Sequence, residues 1–254
     1  MNWTKREMDW YYRALKNCEY PQNVINYIED FLLENDNVID IGTGIGTFAL
    51  SLAEIVNKVI AVDYSQSMLN YLEKLAEIRN LNSKIITKKG DWNKIKFSSD
   101  LETNSLITAY SGKEVVGNKK SIKKMQKLIN NYIFLFVPGE RKKHSFSSDK
   151  LFEKLGRNKR KHKCNYKDVE KILREMDINF SKKEFKYQFG QPFSDFKEAI
   201  EFFKFHYNLE NSEMKVLKTF LKNNLKEKED YLWIENEKIS VLYYWDNKRG
   251  GGND

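Results

Sequence analysis

Three glycines at alternating positions, 42, 44 and 46, are the residues of this sequence that point most directly to ligand binding. They follow an apolar stretch at 38–41 and precede a segment of helical composition. Glycine has no Cβ, so a ligand can approach its backbone closely, and the first turn of a helix offers unpaired N–H groups and a positive dipole end. The segment therefore predicts a strand, a turn and a helix start that together bind a carboxylate, a phosphate or the edge of a sugar.

Two acidic residues follow later strands of the same pattern. Asp63 ends the apolar run at 58–63, 21 positions after Gly42 (63 − 42), where a carboxylate can accept hydrogen bonds from both hydroxyls of a ribose. Asp91 lies after the third predicted strand with Trp92 beside it, and there an acid can meet the edge of an adenine while an aromatic ring covers its face. The alternative is that the glycines only form tight turns and that Asp63 caps the next helix.

The spacing of the glycines distinguishes between two kinds of nucleotide ligand. A dinucleotide fingerprint has its third glycine three positions after the second, whereas here the interval from Gly44 to Gly46 is two. Asp40 stands at the end of the preceding strand, and its carboxylate would repel a pyrophosphate but would suit a cation such as an α-ammonium group. The loop therefore lacks the register for a pyrophosphate and favours a ligand with a cationic group.

Alternating strand and helix patterns surround these residues and must position them. Five apolar runs predict strands, at 37–42, 58–63, 84–88, 104–110 and 131–139. Helical patterns fill the segments between them, and Ser65 is predicted to be the N-cap of one of these helices. Such alternation predicts a parallel sheet with helices on both faces, an α/β fold. Farther along, a helical piece at 190–227 lies between two strand patterns and is predicted to be an insertion or lid on the same sheet.

The segment Asp40-Ile41-Gly42-Thr43-Gly44-Ile45-Gly46 resembles the first motif of class I S-adenosylmethionine-dependent methyltransferases, an acidic residue followed by three alternating glycines. Asp63 in VIAVDYSQSML is similar to the acid after their second strand, and Gly90-Asp91-Trp92 is similar to their motif after the third. The similarity covers about residues 20–140. It implies a doubly wound, mostly parallel, seven-stranded sheet, with S-adenosyl-L-methionine as the methyl donor.

The resemblance also implies which residues bind the cofactor. The glycines would approach its methionine and ribose parts, Asp63 its ribose and Asp91 its adenine amino group, while Met68 would cover the adenine. The implied cofactor-binding residues are Asp40, Gly42, Thr43, Gly44, Gly46, Asp63, Tyr64, Met68, Asp91, Trp92 and Ala109. Residues 1–249 would form a single domain in which 1–34 is a helical lid, and 250–254 would be a disordered tail.

The acceptor side of the predicted site is less clearly marked. Residues 108–112 lack the Asn/Asp-Pro-Pro-Tyr motif of many amino-group methyltransferases that act on nucleic acids and proteins, which argues against those subclasses. Tyr12, Tyr110 and His144 are the candidate acceptor-binding residues, and His144 is also the candidate general base. His206 lies in an aromatic helix that lines an apolar pocket or belongs to the core. No catalytic residue is assigned, because methyl transfer from a sulfonium mainly requires alignment and the exclusion of water.

Charge and composition leave several kinds of partner open. The chain has 254 residues and a formal net charge of +8, and the basic stretch 141–163 could contact RNA phosphates, recognise an anionic small molecule or be a solvated loop. We expect methyl transfer to a small or medium-sized organic acceptor. The alternatives are an RNA methyltransferase that uses the basic stretch and a non-catalytic partner protein that binds S-adenosylmethionine.

Cysteine content and hydropathy exclude other classes. Cys18 and Cys164 are the only cysteines, which excludes a disulfide framework and a cysteine-based zinc site and fits a reducing cytoplasm. No metal site is expected. No apolar run approaches the roughly 18 residues of a membrane-spanning helix, and the first ten residues lack the apolar region of a secretory signal. The sequence thus predicts a cytoplasmic protein without a membrane partner, of unknown oligomeric state.

Overall fold

The computed structural model describes residues 3–98, 102–140, 148–158 and 164–248. The first part of the chain contains α1 (Lys5–Lys16), α2 (Tyr20–Ile28), β1 (Asn37–Ile41), α3 (Ala49–Ile55), β2 (Lys58–Asp63), α4 (Gln66–Ile78), β3 (Ile85–Lys89), β4 (Ser105–Ala109), α5 (Lys113–Val116), α6 (Lys119–Leu128) and β5 (Tyr132–Pro138). The second part contains α7 (Ser148–Lys154), α8 (Tyr166–Glu175), β6 (Ser181–Gln188), β7 (Gln191–Phe193), α9 (Phe196–Tyr207), α10 (Met214–Lys222), β8 (Lys226–Lys228), β9 (Tyr231–Ile234) and β10 (Glu237–Asp246).

The main sheet has seven strands in the order β3-β2-β1-β4-β5-β10-β6. Strands β1 to β5 are parallel to their neighbours, and β10 is antiparallel to both β5 and β6. This arrangement confirms the prediction of a doubly wound, mostly parallel sheet. The chain runs outward from β1 to β3 and returns to β4, so the strand order reverses between β1 and β4. Ligands bind at such a reversal, outside the carboxyl ends of the strands.

Each face of the sheet has its own apolar core, which explains why the central strands are apolar along their whole length. Val38 contributes to a core with residues of α2 and α3, and its neighbour Ile39 contributes to the opposite core under α6 and α8. Successive side chains of a strand point to opposite faces, so a strand covered on both sides must be apolar at every position. This burial holds the carboxyl ends of β1, β2 and β4 at fixed positions.

A second layer of structure lies beyond the carboxyl ends of β5 and β6. Strands β7, β9 and β8 form a separate three-stranded antiparallel sheet, and together with α7, α9 and α10 they enclose a third apolar core. We call these six elements the cap. The sequence predicts helices in the segment 190–227, and the structure adds strands to it. Strands this short carry little periodic signal, and all three residues of β8 are exposed.

The N-terminal helix α1 lies between the main sheet and the cap. Its first turn is closed by a capping box, in which Thr4 accepts from the backbone N–H of Glu7 and Glu7 accepts from that of Thr4. The buried side chains of α1 belong to Met8, Trp10 and Ala14. Among the described residues, no helix combines the length and the apolar character needed to cross a membrane. The proposed tail at 250–254 lies outside the described residues.

Candidate functional site

The loop after β1 holds all three glycines in the left-handed region of backbone conformation. Their φ angles are +69° at Gly42, +56° at Gly44 and +90° at Gly46, values that glycine adopts at little cost. A Cβ at Gly42 would come within 2.8 Å of the Ser111 Oγ, and one at Gly46 would overlap the side chain of Leu72. A Cβ at Gly44 would have no atom within 4 Å. The outer glycines are therefore required for packing, whereas the middle one borders open space.

Asp63, at the end of β2, is bonded directly to this loop. Its side chain is buried, one carboxylate oxygen accepts from the backbone N–H of Gly44 at 3.0 Å, and the other accepts from that of Ser65 at 2.8 Å. The N-cap of α4 is Ser65, not Asp63, so the alternative that Asp63 caps this helix is wrong. A carboxylate offers about four acceptor positions. Asp63 therefore keeps acceptor capacity for the two hydroxyls of a ribose beside Gly44.

Asp40 supports the same loop from within the protein. Its carboxyl group is buried and accepts from the hydroxyl of Thr43 at 2.7 Å, and it also accepts from the backbone N–H of Ala49. Burial, together with the negative charge of Asp63, raises the pKa of Asp40 to about 7 against the effect of these hydrogen bonds. Asp40 thus stabilises the loop through its hydrogen bonds. Its attraction for an α-ammonium group stays a prediction.

The predicted adenine side shows three different environments. Met68 is buried against Met8 of α1 and Ile45 of the glycine loop. Tyr64 is exposed. Asp91 is also exposed, and its carboxylate accepts from the backbone N–H of Asn93 at 2.9 Å. Met68 therefore stays a candidate for covering the adenine, and Asp91 for binding its amino group.

Trp92 requires a correction. Its indole N–H donates to the Ser121 hydroxyl at 2.9 Å, the Lys124 Nζ lies 4.4 Å from its ring centre, and its exposed fraction is 3%. This packing ties the loop after β3 to α6 and leaves no ring face open to a ligand. We therefore remove Trp92 from the predicted cofactor-binding residues.

Tyr110 follows Ala109 directly beyond the carboxyl end of β4. Its backbone is left-handed, with φ +54°, a conformation that is uncommon for a bulky residue. Its hydroxyl is hydrogen-bonded to those of Tyr187 and Ser240, whereas the residue as a whole is 39% exposed. Burial of the hydroxyl raises the pKa of Tyr110. The structure thus fixes the ring of Tyr110 beyond the carboxyl end of β4, and its role in binding the acceptor stays a prediction.

Both Tyr11 and Tyr12 of α1 lie close to the glycine loop, in different surroundings. The Tyr11 hydroxyl shares a hydrogen bond with that of Thr47 at 3.3 Å, whereas the ring of Tyr12 packs edge-on against Tyr71 of α4, with ring centres 6.2 Å apart. The helical period does not separate the two, because positions 11 and 12 both follow Met8 by one turn. Tyr12 also borders a small cavity together with Ile45, Gly46 and Thr47 of the loop, so its role in binding the acceptor stays a prediction.

The remaining candidates lie outside the described residues or away from the loop. His144 and most of the basic stretch 141–163 belong to the parts that the structure does not describe. Within the described part of that stretch, Arg157 forms an ion pair with Glu213, which directly precedes α10 of the cap. His206 is exposed on α9 and stacks on Phe202, with ring centres 5.4 Å apart.

Sequence reasoning missed three residues that shape the end of β4. The Ser111 hydroxyl donates to the backbone oxygen of Ile41 at 3.1 Å and so ties the β4 loop to the glycine loop. Tyr187 and Ser240 hold Tyr110 from β6 and β10, 77 and 130 positions along the chain. Pairings across such distances leave no local signal in one sequence.

Comparison with known proteins agrees with this geometry. Residues 38–130 match the family model described as a methyltransferase domain. No curated protein matches the sequence. A putative methyltransferase from Bacillus halodurans is similar in structure with a TM-score of 0.55 and 15% identity, covering 89% of this chain and 99% of that one.

Two further solved structures share this fold and belong to proteins with different activities. The magnesium protoporphyrin IX methyltransferase of Synechocystis, with bound S-adenosylhomocysteine, is similar with a TM-score of 0.51 and 14% identity, covering 96% of this chain and 89% of that one. The [4+2]-cyclase SpnF is similar with a TM-score of 0.52 and 11% identity, covering 87% of this chain and 80% of that one. At these identities the likeness shows the fold, and the reaction must be argued from the sequence match and the site.

The residues present fit the cofactor that the family uses. The space beside Gly44 is open, and Asp63 keeps acceptor capacity next to it. Three observations point to the same segment. It contains the acid-and-glycine motif, the strand order reverses beside it, and it lies within residues 38–130, which match the family model. Residues 38–130 thus match a methyltransferase domain, and the solved structures show that the whole chain has the fold of such proteins.

Proposed function

We propose that this enzyme transfers the methyl group of S-adenosylmethionine to a small or medium-sized organic acceptor held between α1, the end of β4 and the cap. The observation that carries this proposal is the position of α1. One side of the helix contacts the glycine loop through Tyr11 and Met8, and the other contacts the cap through Trp10 and Arg13. A helix in this position limits the size of the ligand that can bind beyond the carboxyl ends of the parallel strands.

The cofactor assignments belong to the same proposal. Gly44 would lie against the bound nucleoside, Asp63 would accept from its ribose hydroxyls, and Met68 and Asp91 would border its adenine. When bound, the sulfonium supplies a methyl group that is already activated for displacement. The protein then has to align the acceptor with that group and exclude water.

Two observations favour a small acceptor over RNA. Arg157, one of the described residues in the basic stretch, is engaged by Glu213 and by the backbone oxygens of Tyr207 and Asn208. The magnesium protoporphyrin IX methyltransferase shows that the fold can serve an organic acceptor. We further propose that residues 1–249 act as one domain with 1–34 as its lid. The free thiols of Cys18 and Cys164 suit a reducing cytoplasm.

Transfer of a radioactive methyl group from S-adenosylmethionine into a cell extract tests the proposal. The extract is separated into low-molecular-mass, RNA and protein fractions before the reaction, and Asp63→Ala is the control enzyme. We expect label in the low-molecular-mass fraction, dependent on Asp63. Label in the RNA fraction, lost steeply as salt is raised, would instead support the RNA alternative. Cofactor binding without label in any fraction would support a non-catalytic role.

A further inference from the structure

A small cavity lies beside the glycine loop, between the helices α1, α3 and α4. Its volume is about 90 Å³, and Gly46 and Thr47 of the loop form one side of it. Gly44 and Asp63, which border the proposed cofactor site, do not line this cavity. A single buried water needs roughly 10–15 Å³, so the cavity has room for several waters or for a small organic molecule. It is therefore a candidate for a second binding site.

The lining of this cavity combines apolar side chains with a few hydroxyl groups. Leu15 of α1, Ile45 of the glycine loop and Leu50 of α3 supply apolar surface. Tyr12 and Ser51 also line the cavity, and neither of their hydroxyls has a hydrogen-bond partner among the described residues. A mostly apolar space with a few polar groups is typical of the sites that bind small organic molecules.

The opening of the cavity carries positive charge. Lys16 and Arg79 line the cavity and are exposed, and none of the described residues that line it is acidic. Each cation has one distant contact, since the Lys16 Nζ lies 5.8 Å from the ring centre of Tyr12 and the Arg79 Nη1 lies 3.9 Å from the Glu54 Oε1. Such pairs interact up to about 6 Å and 4 Å, respectively, so these contacts compensate the two charges only weakly.

We propose that this cavity binds a small carboxylate with a short apolar chain, and that the bound molecule strengthens cofactor binding. The carboxylate would pair with Lys16 and Arg79 at the opening, and the chain would lie against Leu15, Ile45 and Leu50. A carboxylate gains from two cationic donors, whereas a protonated amine is repelled by them. The volume of the cavity limits the chain to a few carbon atoms.

The bound molecule would act on α1 and on the glycine loop at the same time. Tyr12 and Leu15 belong to α1, whereas Gly46 and Thr47 belong to the loop. A molecule in contact with both favours the position of α1 in which Tyr11 is hydrogen-bonded to Thr47. Coupling between two sites is reciprocal, so cofactor and carboxylate should each raise the affinity for the other. This coupling rests on the proposed cofactor site, whereas binding of the carboxylate does not.

Titration of the isotope-labelled protein with butyrate, butyramide and butylamine, followed by nuclear magnetic resonance, tests the binding site. The three probes are similar in size and differ in charge. Lys16→Met removes one cation from the opening, and Lys5→Met is the matched control, because Lys5 is exposed on the same helix and does not line the cavity. Ser51→Leu fills the cavity, whereas Ser51→Ala removes only a hydroxyl. Thermal unfolding checks that each variant is folded.

We expect butyrate to shift the amide signals of Gly46, Thr47 and Ser51 with saturation. It should bind about threefold or more tightly than butyramide, with butylamine weakest, because exposed ion pairs give a modest preference. Lys16→Met should reduce this preference and Lys5→Met should keep it, while Ser51→Leu should lose the binding that Ser51→Ala retains. No saturable shift in the unsubstituted protein, equal affinity for the three probes, or equal effects within either pair of variants would overturn the inference.

Calorimetric titration with S-adenosylhomocysteine, with and without saturating butyrate, tests the coupling. We expect S-adenosylhomocysteine to bind about threefold or more tightly in the presence of butyrate, and this gain to be lost in Ser51→Leu. An equal or lower affinity in the presence of butyrate would overturn the coupling. Failure to bind S-adenosylhomocysteine at all would instead refute the proposed cofactor site, because the titration with butyrate uses the protein alone.

Discussion

Arg13 of the N-terminal helix and Glu198 of the cap form an ion pair with a distance of 2.7 Å between Nη1 and Oε2. Glu198 also accepts from the indole N–H of Trp10 at 3.0 Å and from the backbone N–H of Ser194 at 2.6 Å. The carboxylate of Glu198 therefore makes three contacts that hold α1 against the cap. On its other side, the same helix contacts the glycine loop through Tyr11, so a change at the cap should reach the proposed cofactor site.

Glu198→Gln should lower the free energy of unfolding at pH 7 by about 2 kcal/mol, since charge-assisted hydrogen bonds are lost. Burial raises the pKa of Glu198, but the hydrogen bonds from Arg13, Ser194 and Trp10 outweigh it and bring that pKa to about 2. A folded-state pKa below the ordinary 4.5 stabilises the fold above pH 4.5, and this contribution is lost as pH falls towards 2. Denaturant unfolding at several pH values should show that the free energy of unfolding falls less in the variant than in the unsubstituted protein as pH decreases towards 2.

Glu201→Gln is the matched control for this effect. Glu201 pairs with Arg6 between the same two helices, but both side chains are more exposed, and exposed ion pairs contribute about 0–1 kcal/mol. Equal loss of stability in the two variants would show that Glu198 has no special part in holding the lid.

Substitutions at two glycines should separate ligand binding from folding. Gly44→Ala places a methyl group in open space and costs about 1–2 kcal/mol for its left-handed backbone, so the protein should fold but bind S-adenosylhomocysteine at least tenfold more weakly. Gly46→Ala drives its methyl group into Leu72 and should lower the melting temperature more. Thermal unfolding and calorimetry measure the two effects. Unchanged affinity in folded Gly44→Ala would mean that this glycine forms only a turn.

Asp40→Asn should change how stability depends on pH. Because burial raises the pKa of Asp40 to about 7, the stability that its protonated form contributes is complete below the ordinary value of 3.8 and is lost as pH rises through 7. The stability of the variant relative to the unsubstituted protein should therefore increase between pH 4 and 8, by an amount on the order of 3 kcal/mol. Urea unfolding across this range measures it, and a constant difference would contradict the raised pKa.

Tyr11→Phe and Tyr12→Phe should differ in their effect on the lid. The first removes the hydrogen bond to Thr47 and should weaken binding of S-adenosylhomocysteine severalfold, since a neutral hydrogen bond contributes about 1 kcal/mol. The second keeps the ring that packs on Tyr71 and should bind normally. Calorimetry at one pH distinguishes them, and a reversed order would contradict the role of the Tyr11 hydroxyl.

The central part of the fold could be predicted because its signals are local. A strand buried on both faces must be apolar throughout, and the left-handed turn after β1 requires glycine, so both leave clear marks on residues 38–46. The partners of Tyr110 left no such mark. Tyr187 and Ser240 come from distant strands, and their meeting depends on the position of β10 between β5 and β6.

Predictions that depended on the direction of a side chain were less successful, because contacts between distant parts of the chain decide that direction. Trp92 follows a strand at the position expected for an adenine contact, yet its indole turns towards Ser121 of α6. Tyr11 and Tyr12 are adjacent on one helix, and the sequence does not show that the hydroxyl of Tyr11 is hydrogen-bonded to Thr47 of the glycine loop. A single sequence records which residues a site contains more clearly than where their side chains point.

Calorimetric titration with S-adenosylhomocysteine tests the cofactor assignment most directly, with Asp63→Ala and Asp36→Ala compared with the unsubstituted protein. Asp36 is also buried and accepts a backbone hydrogen bond, from Leu33, but it precedes β1 at the opposite edge of the sheet. We predict one molecule bound per chain, with affinity reduced by about 2 kcal/mol or more in Asp63→Ala and unchanged in folded Asp36→Ala. No binding by the unsubstituted protein, or equal affinity in all three, would contradict the account.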